Sequence, residues 1–106
     1  MPGVDLNYFL RQANKLTEKI EKRKTELSEE SVTGQAGDGR VVATASGIQE
    51  ITAVKIDAAV VDPSDVALLE DLVKAAVNAA LAASREHMQK ELAKVSGGLK
   101  IPGLTS

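Results

Sequence analysis

Three glycines fall within six residues, Gly34, Gly37 and Gly39, between two long stretches free of both Gly and Pro. Glycine tolerates the positive φ that tight turns demand, and Gly37-Asp38-Gly39 is strong hairpin chemistry. Residues 4–33 hold no Gly or Pro before Gly34, and past Gly47 and Pro63 residues 64–96 hold none before Gly97. A helix, a short β region and a second helix are the order such punctuation allows.

Residues 5–30 read as the first helix. Leu6, Phe9, Ala13, Leu16, Ile20 and Leu27 recur at spacings of three and four, with Arg23 the one polar intruder in the seam. Asp5 suits the N-cap or first turn. The apolar seam is narrow and the other faces are charged, so this helix either lies on a small sheet or projects as a half-covered arm. Residues 31–57 carry three strands. Val32-Thr33 opens the first; Arg40–Ser46 forms the second, with Val41, Val42 and Thr44. After the Ser46-Gly47 turn, Ile48–Asp57 forms the third, with Ile51, Val54 and Ile56. A three-stranded antiparallel meander needs a helix over one face to be stable.

Residues 62–96 form the last helical region. Asp62 is read as its N-cap, Pro63 as the first helical residue and Asp65 as an acid near the dipole's positive end. Val66, Leu68, Leu69, Leu72, Val73, Ala76, Val77, Ala80 and Leu81 supply the apolar periodicity. Six alanines lie between Ala75 and Ala83, small enough for another helix to come close. Gly97-Gly98 ends the helix and Pro102 prevents its resumption. The tail, 97–106, has Leu99, Ile101 and Leu104 and is expected to dock. The fold class is therefore α+β, α-β-β-β-α, in a single domain spanning 1–106.

Much of the 43% hydrophobic content is alanine, with one Phe, one Tyr and no Trp. Such a core buries little area per residue, at roughly 25 cal/mol per Å² of apolar surface, and a second subunit would add to it. No cysteine is present, which excludes disulfides and thiolate chemistry. The most apolar stretch, around Val73–Ala83, is broken by Lys74 and Asn78 and is too short for a bilayer. No signal peptide is visible. A soluble intracellular protein without a membrane partner is expected.

Nothing points to catalysis. His87 is the single histidine and sits among Arg85, Glu86, Gln89 and Lys90, where a surface role is expected. Asp62 and Asp65 are accounted for by the helix N-terminus, and adjacent Glu70 and Asp71 point apart on a helix. Gly34, Gly37 and Gly39 are followed by a strand, whereas a phosphate cradle opens a helix. No enzyme, metal, cofactor or small-molecule substrate is expected.

The charge layout says more than the net −2. Between Leu10 and Lys24, Arg11, Lys15, Lys19, Lys22, Arg23 and Lys24 face only Glu18 and Glu21. The middle, Ile48–Leu72, is acidic, with Lys55 alone against Glu50, Asp57, Asp62, Asp65, Glu70 and Asp71. Arg85, Lys90, Lys94 and Lys100 make the end basic again. Clustered cations neutralise phosphates by counterion release, without base reading. The alternative reading is a solvated helix face. Scarce aromatics disfavour single-stranded and RNA platforms.

Read in order, the landmarks resemble the YbaB/EbfC family. Val32-Thr33-Gly34-Gln35-Ala36-Gly37-Asp38-Gly39, then Val41-Val42-Ala43-Thr44 and Gly47, are similar to its strand-and-turn core. Ile56-Asp57, the block Leu69–Asn78, Gly97-Gly98 and Ile101-Pro102-Gly103-Leu104 follow at matching spacing. Ala58 replaces a frequent Pro, Ala79 a frequent acid, and the first helix has fewer Met than many relatives. The resemblance implies a tweezer-like homodimer with projecting helices. It implies a bacterial cytoplasmic, nucleoid-associated protein that binds double-stranded DNA with little sequence specificity and contributes to nucleoid organisation and gene regulation. Arg11, Lys19 and Lys22 match the family's basic positions; Lys15, Arg23 and Lys24 are this sequence's own. Arg85, Lys90 and Lys94 are candidates by charge. Leu69, Leu72, Val73, Ala76 and Ala80 are assigned to the dimer interface. The alternative is a coiled-coil-type protein-interaction module or a recombination or repair accessory.

Overall fold

Helix α1 runs over Leu6–Ser28, and Asp5 caps it, its carboxylate accepting from the Tyr8 amide at 3.2 Å. The computed structural model describes residues 5–97. Strands β1 (Ser31–Ala36), β2 (Val41–Ser46) and β3 (Ile51–Ile56) follow in one sheet of order β1-β2-β3, both pairs antiparallel. The β1–β2 hairpin turns through three successive residues of positive φ, Gly37, Asp38 and Gly39. A 3-10 turn, Ala58–Val60, leads toward helix α2, Val66–Val95.

Helix α2 begins later than Asp62. Its N-cap is Asp65, which accepts from the Leu68 amide at 3.2 Å. Asp62 instead accepts from the Ser64 amide and hydroxyl, closing a turn around Pro63 just ahead of the helix. β3 likewise starts at Ile51, because Gly47–Glu50 is used by the turn, where Gln49 takes φ 66°. At the far end α2 stops at Val95 and Gly97 takes φ 66°. The expected docking of Leu99, Ile101 and Leu104 lies outside the described residues.

Helix α2 lies across β1 and β2. Ladder partners share a sheet face, so Val32, Gly34 and Ala36 of β1 stand with Ala45, Ala43 and Val41 of β2, all toward the helix. Val41, Ala43, Ala45, Val60, Ala76 and Ala80 form the buried cluster, and Leu69, Leu72, Val73 and Val77 pack at its margin. The six-alanine stretch therefore receives a strand of the same chain and not a second helix. A Cβ on Gly34 would lie 2.6 Å from Ala79 C and 2.7 Å from Ala76 O, and would overlap the Ala80 amide nitrogen. Small residues on the helix meet a residue without a side chain on the strand.

Two of the residues expected at a dimer interface lie in this contact. Ala76 and Ala80 are fully buried within one chain, so they have no surface left for a partner. Leu69, Leu72 and Val73 are half-buried against the same core. Among the described residues, part of the uncovered apolar surface lies on β3. Ile51, Val54 and Ile56 share the helix-side face with Ala45, Ala43 and Val41, yet α2 covers them only in part, and they are 37–41% exposed.

Candidate nucleic-acid interface

Among the described residues, helix α1 is anchored most firmly at its C-terminal end. Leu27 is fully buried and Gly47 donates its amide to Leu27 O (2.9 Å) and Glu30 O (3.0 Å). Leu16 and Ile20 are half-covered, whereas Leu6 is 67% exposed and Phe9 and Leu10 are more than half exposed. Of the two settings open to an amphipathic helix with a narrow seam, the structure adopts the projecting arm. The last turns of α2 run beside it antiparallel, and a groove of about 540 Å³ separates Phe9, Ala13 and Leu16 from Val95–Gly97.

At ~100° per residue, Arg11, Lys15, Lys19 and Lys22 fall within an arc of ~80° on α1, turned away from the apolar seam. All four are exposed. Lys24 points roughly to the opposite side and stands outside this stripe. On α2, Lys90 and Lys94 share one flank, while Arg85 is ~180° round the helix from Lys94. Lys90 pairs with Glu86 at 3.3 Å and Lys94 with Glu91 at 2.7 Å. The nine candidate cations are thus not one surface: four form a stripe on the arm.

Arg23 differs from all of them. Its side chain is only 19% exposed and its guanidinium forks between helices, to Glu30 at 2.7 Å and to Glu91 at 2.7 Å, with Glu26 at 3.4 Å. Glu30 also meets His87 Nε2 at 2.7 Å. So the polar intruder in the α1 seam is the residue that joins α1 to α2, and His87 belongs to an inter-helix cluster. Beneath it, the buried Ser84 hydroxyl donates to Ser46 O (2.6 Å) and accepts from the Gln49 amide (2.9 Å), satisfying the left-handed turn. No local signal marks Ser84, Glu30 or Glu91; the break in the seam at Arg23 is the one visible trace.

Hydrogen bonds from Lys94 and then Arg23 hold the Glu91 carboxyl down at about 2, and Arg23, then His87, lower that of Glu30. A depressed carboxyl pKa stabilises the fold when ionised. The contribution of Glu91 is therefore complete above its ordinary 4.5 and disappears as pH falls toward about 2. Heat-denaturation midpoints taken across that window are expected to drop less steeply for Glu91→Gln than for the native chain. Identical slopes would contradict the assignment.

The sequence matches the model of the YbaB/EbfC DNA-binding family over residues 1–99, and the chain belongs to that family. It is 70% identical to a nucleoid-associated protein of Myxococcus xanthus, covering 99% of this chain and 100% of the relative. A nucleoid-associated protein of Thermoanaerobacter sp. is 45% identical over 96% of this chain and 92% of the relative. The fold matches the crystal structure of an uncharacterized protein from Helicobacter pylori, with a TM-score of 0.77 and 19% identity, over 91% of this chain and 100% of that one.

Proposed function

We propose that this YbaB/EbfC family member acts as a homodimer that binds double-stranded DNA with little sequence preference, through phosphate neutralisation by its projecting arms. The observation that carries the reading is the exposed stripe of Arg11, Lys15, Lys19 and Lys22 on a helix half free of the body. Such a stripe offers charge at regular spacing and few groups suited to base edges, so affinity comes from counterion release and not from base readout. The acidic segment 48–72 belongs to the body, which leaves the positive field on the arms despite the net −2. The names of the Myxococcus and Thermoanaerobacter relatives support a place in the bacterial nucleoid, within the cytoplasm, and a share in nucleoid organisation and gene regulation. Binding of duplex DNA across a salt series tests the reading: affinity should fall steeply with salt and change little between unrelated sequences. Salt-insensitive affinity, or none at low salt, would sink it.

The β3 face supports the dimer. An unpaired edge strand with three exposed branched residues is costly in water and prone to pairing. A second copy placed there would cover Ile51, Val54 and Ile56, and two copies would present two arms. Val54→Glu is expected to convert the dimer to monomer in sedimentation equilibrium. A dimer of unchanged affinity would place the interface elsewhere.

One observation favours a second reading. The exposed Leu6, Phe9 and Leu10 give the arm an apolar face as well as a basic one, as a coiled-coil-type interaction module would have. The salt series separates the two, because an apolar contact does not weaken with added salt.

A further inference from the structure

The cluster at the root of the arm has a geometry that the stripe does not need for its charge. Arg23 lies 68 residues from Glu91 and bonds it at 2.7 Å, and His87 lies 57 residues from Glu30 and meets it at 2.7 Å. Both pairs cross from α1 or its exit to α2. Below them, the α1 exit is tied by the backbone pin of Gly47 on Leu27 and Glu30. A helix held by one pin at its end can swing; a second attachment about one turn up fixes its direction.

We propose that Arg23, Glu30, His87 and Glu91 form a strut that sets the angle of α1 against α2, so that Arg23 positions the phosphate-binding stripe and does not itself contact DNA. The planar guanidinium, with its fixed fork of donors, suits two carboxylates from different elements at once. With both directions occupied and four-fifths of its side chain covered, Arg23 has little left to offer a phosphate. Arg23 and Lys94 face three carboxylates, Glu26, Glu30 and Glu91, with His87 beside Glu30. The cluster therefore adds no positive charge to the arm's field, and its effect on DNA passes through geometry. This rests on the DNA-binding reading above.

The sign of one substitution distinguishes a strut from a charge. Glu91→Gln removes a negative charge beside a surface that binds a polyanion, so electrostatics alone predicts tighter binding. Loss of the strut predicts weaker binding, by about fivefold or more if arm direction and affinity are coupled as allosteric sites commonly are. Glu86→Gln is the control, since Glu86 is exposed and pairs with Lys90 on its own helix; it should tighten binding slightly. The arm itself can be read without DNA. The chain has no cysteine, so Gln12→Cys and Gln89→Cys accept spin labels cleanly, and dilution with unlabelled protein isolates the distance within one chain. The native distance distribution is expected to be narrow, and to broaden with Glu91→Gln and with Arg23→Gln. An unchanged distribution in both, or Glu91→Gln binding DNA as tightly as Glu86→Gln, overturns the strut. A native protein that shows no DNA binding overturns the functional reading instead, a failure visible in the titration and separate from the distance measurement.

Discussion

Replacing Lys15, Lys19 and Lys22 together with Glu is expected to abolish DNA binding while leaving the dimer and its helix content intact. Each exchange moves the charge by two, taking the chain from −2 to −8, and converts the middle of the stripe from attraction to repulsion. These side chains are exposed and none takes part in an ion pair among the described residues, so the fold has little stake in them. A graded version is more informative. Each alanine replacement should lower the slope of log affinity against log salt by about 0.9 for every phosphate no longer neutralised. Lys24→Ala carries the same change in charge from the other side of the helix and should leave the slope nearly unaltered. Equal effects from Lys24 and Lys19 would mean that a diffuse field binds DNA, with no stripe. Arg23 is left out of the set because its replacement would change the arm's root as well as its charge.

The largest loss of stability is expected from Gly34→Ala. The atoms that an added methyl would meet are all backbone of α2: Ala79 C at 2.6 Å, Ala76 O at 2.7 Å and the Ala80 nitrogen. No side chain can rotate aside, so the helix must lift from β1 and give up packing at Val41, Ala43 and Ala45. Overpacking in a core costs about 1–3 kcal/mol where side chains can yield; against rigid helix backbone, about 3 kcal/mol or more is expected. Gly97→Ala provides the comparison. Gly97 has φ +66° and nothing within 4 Å, so its replacement should cost only the left-handed strain, about 1 kcal/mol. Urea unfolding of the two variants beside the native protein measures the difference. If both are destabilised by the same amount, the close helix–strand approach is not what holds the sheet.

The two expectations draw on different kinds of information. The cations of α1 lie next to one another in sequence, and a helix of known period sorts them into a stripe and its outlier Lys24 without further help. Asp5 as a cap, the Gly37-Asp38-Gly39 turn and the end of α2 before Gly97 are legible for the same reason. Each is a local conformational preference carried by one to three residues. The start of α2 lies three residues beyond the expected cap because Asp62-Pro63 and Asp65 both suit that role, and only the hydrogen bonds choose between them.

Hairpin, helices and their order are short-range matters, so the α-β-β-β-α arrangement with a basic arm was determined by the sequence alone, beginning with three glycines between two unbroken stretches. Which surface each residue spends was decided only by tertiary structure. Ala76 and Ala80 could have faced a second subunit by periodicity, and Arg23 could have faced DNA by charge. The packing of Gly34 into the alanine stretch commits the first two to the chain's own core. Glu91, 68 residues away, commits the third to the root of the arm. Neither partner is marked near the residue it engages, because contacts between distant segments depend on how the sheet and helices dock, and helical period and turn chemistry do not encode that docking.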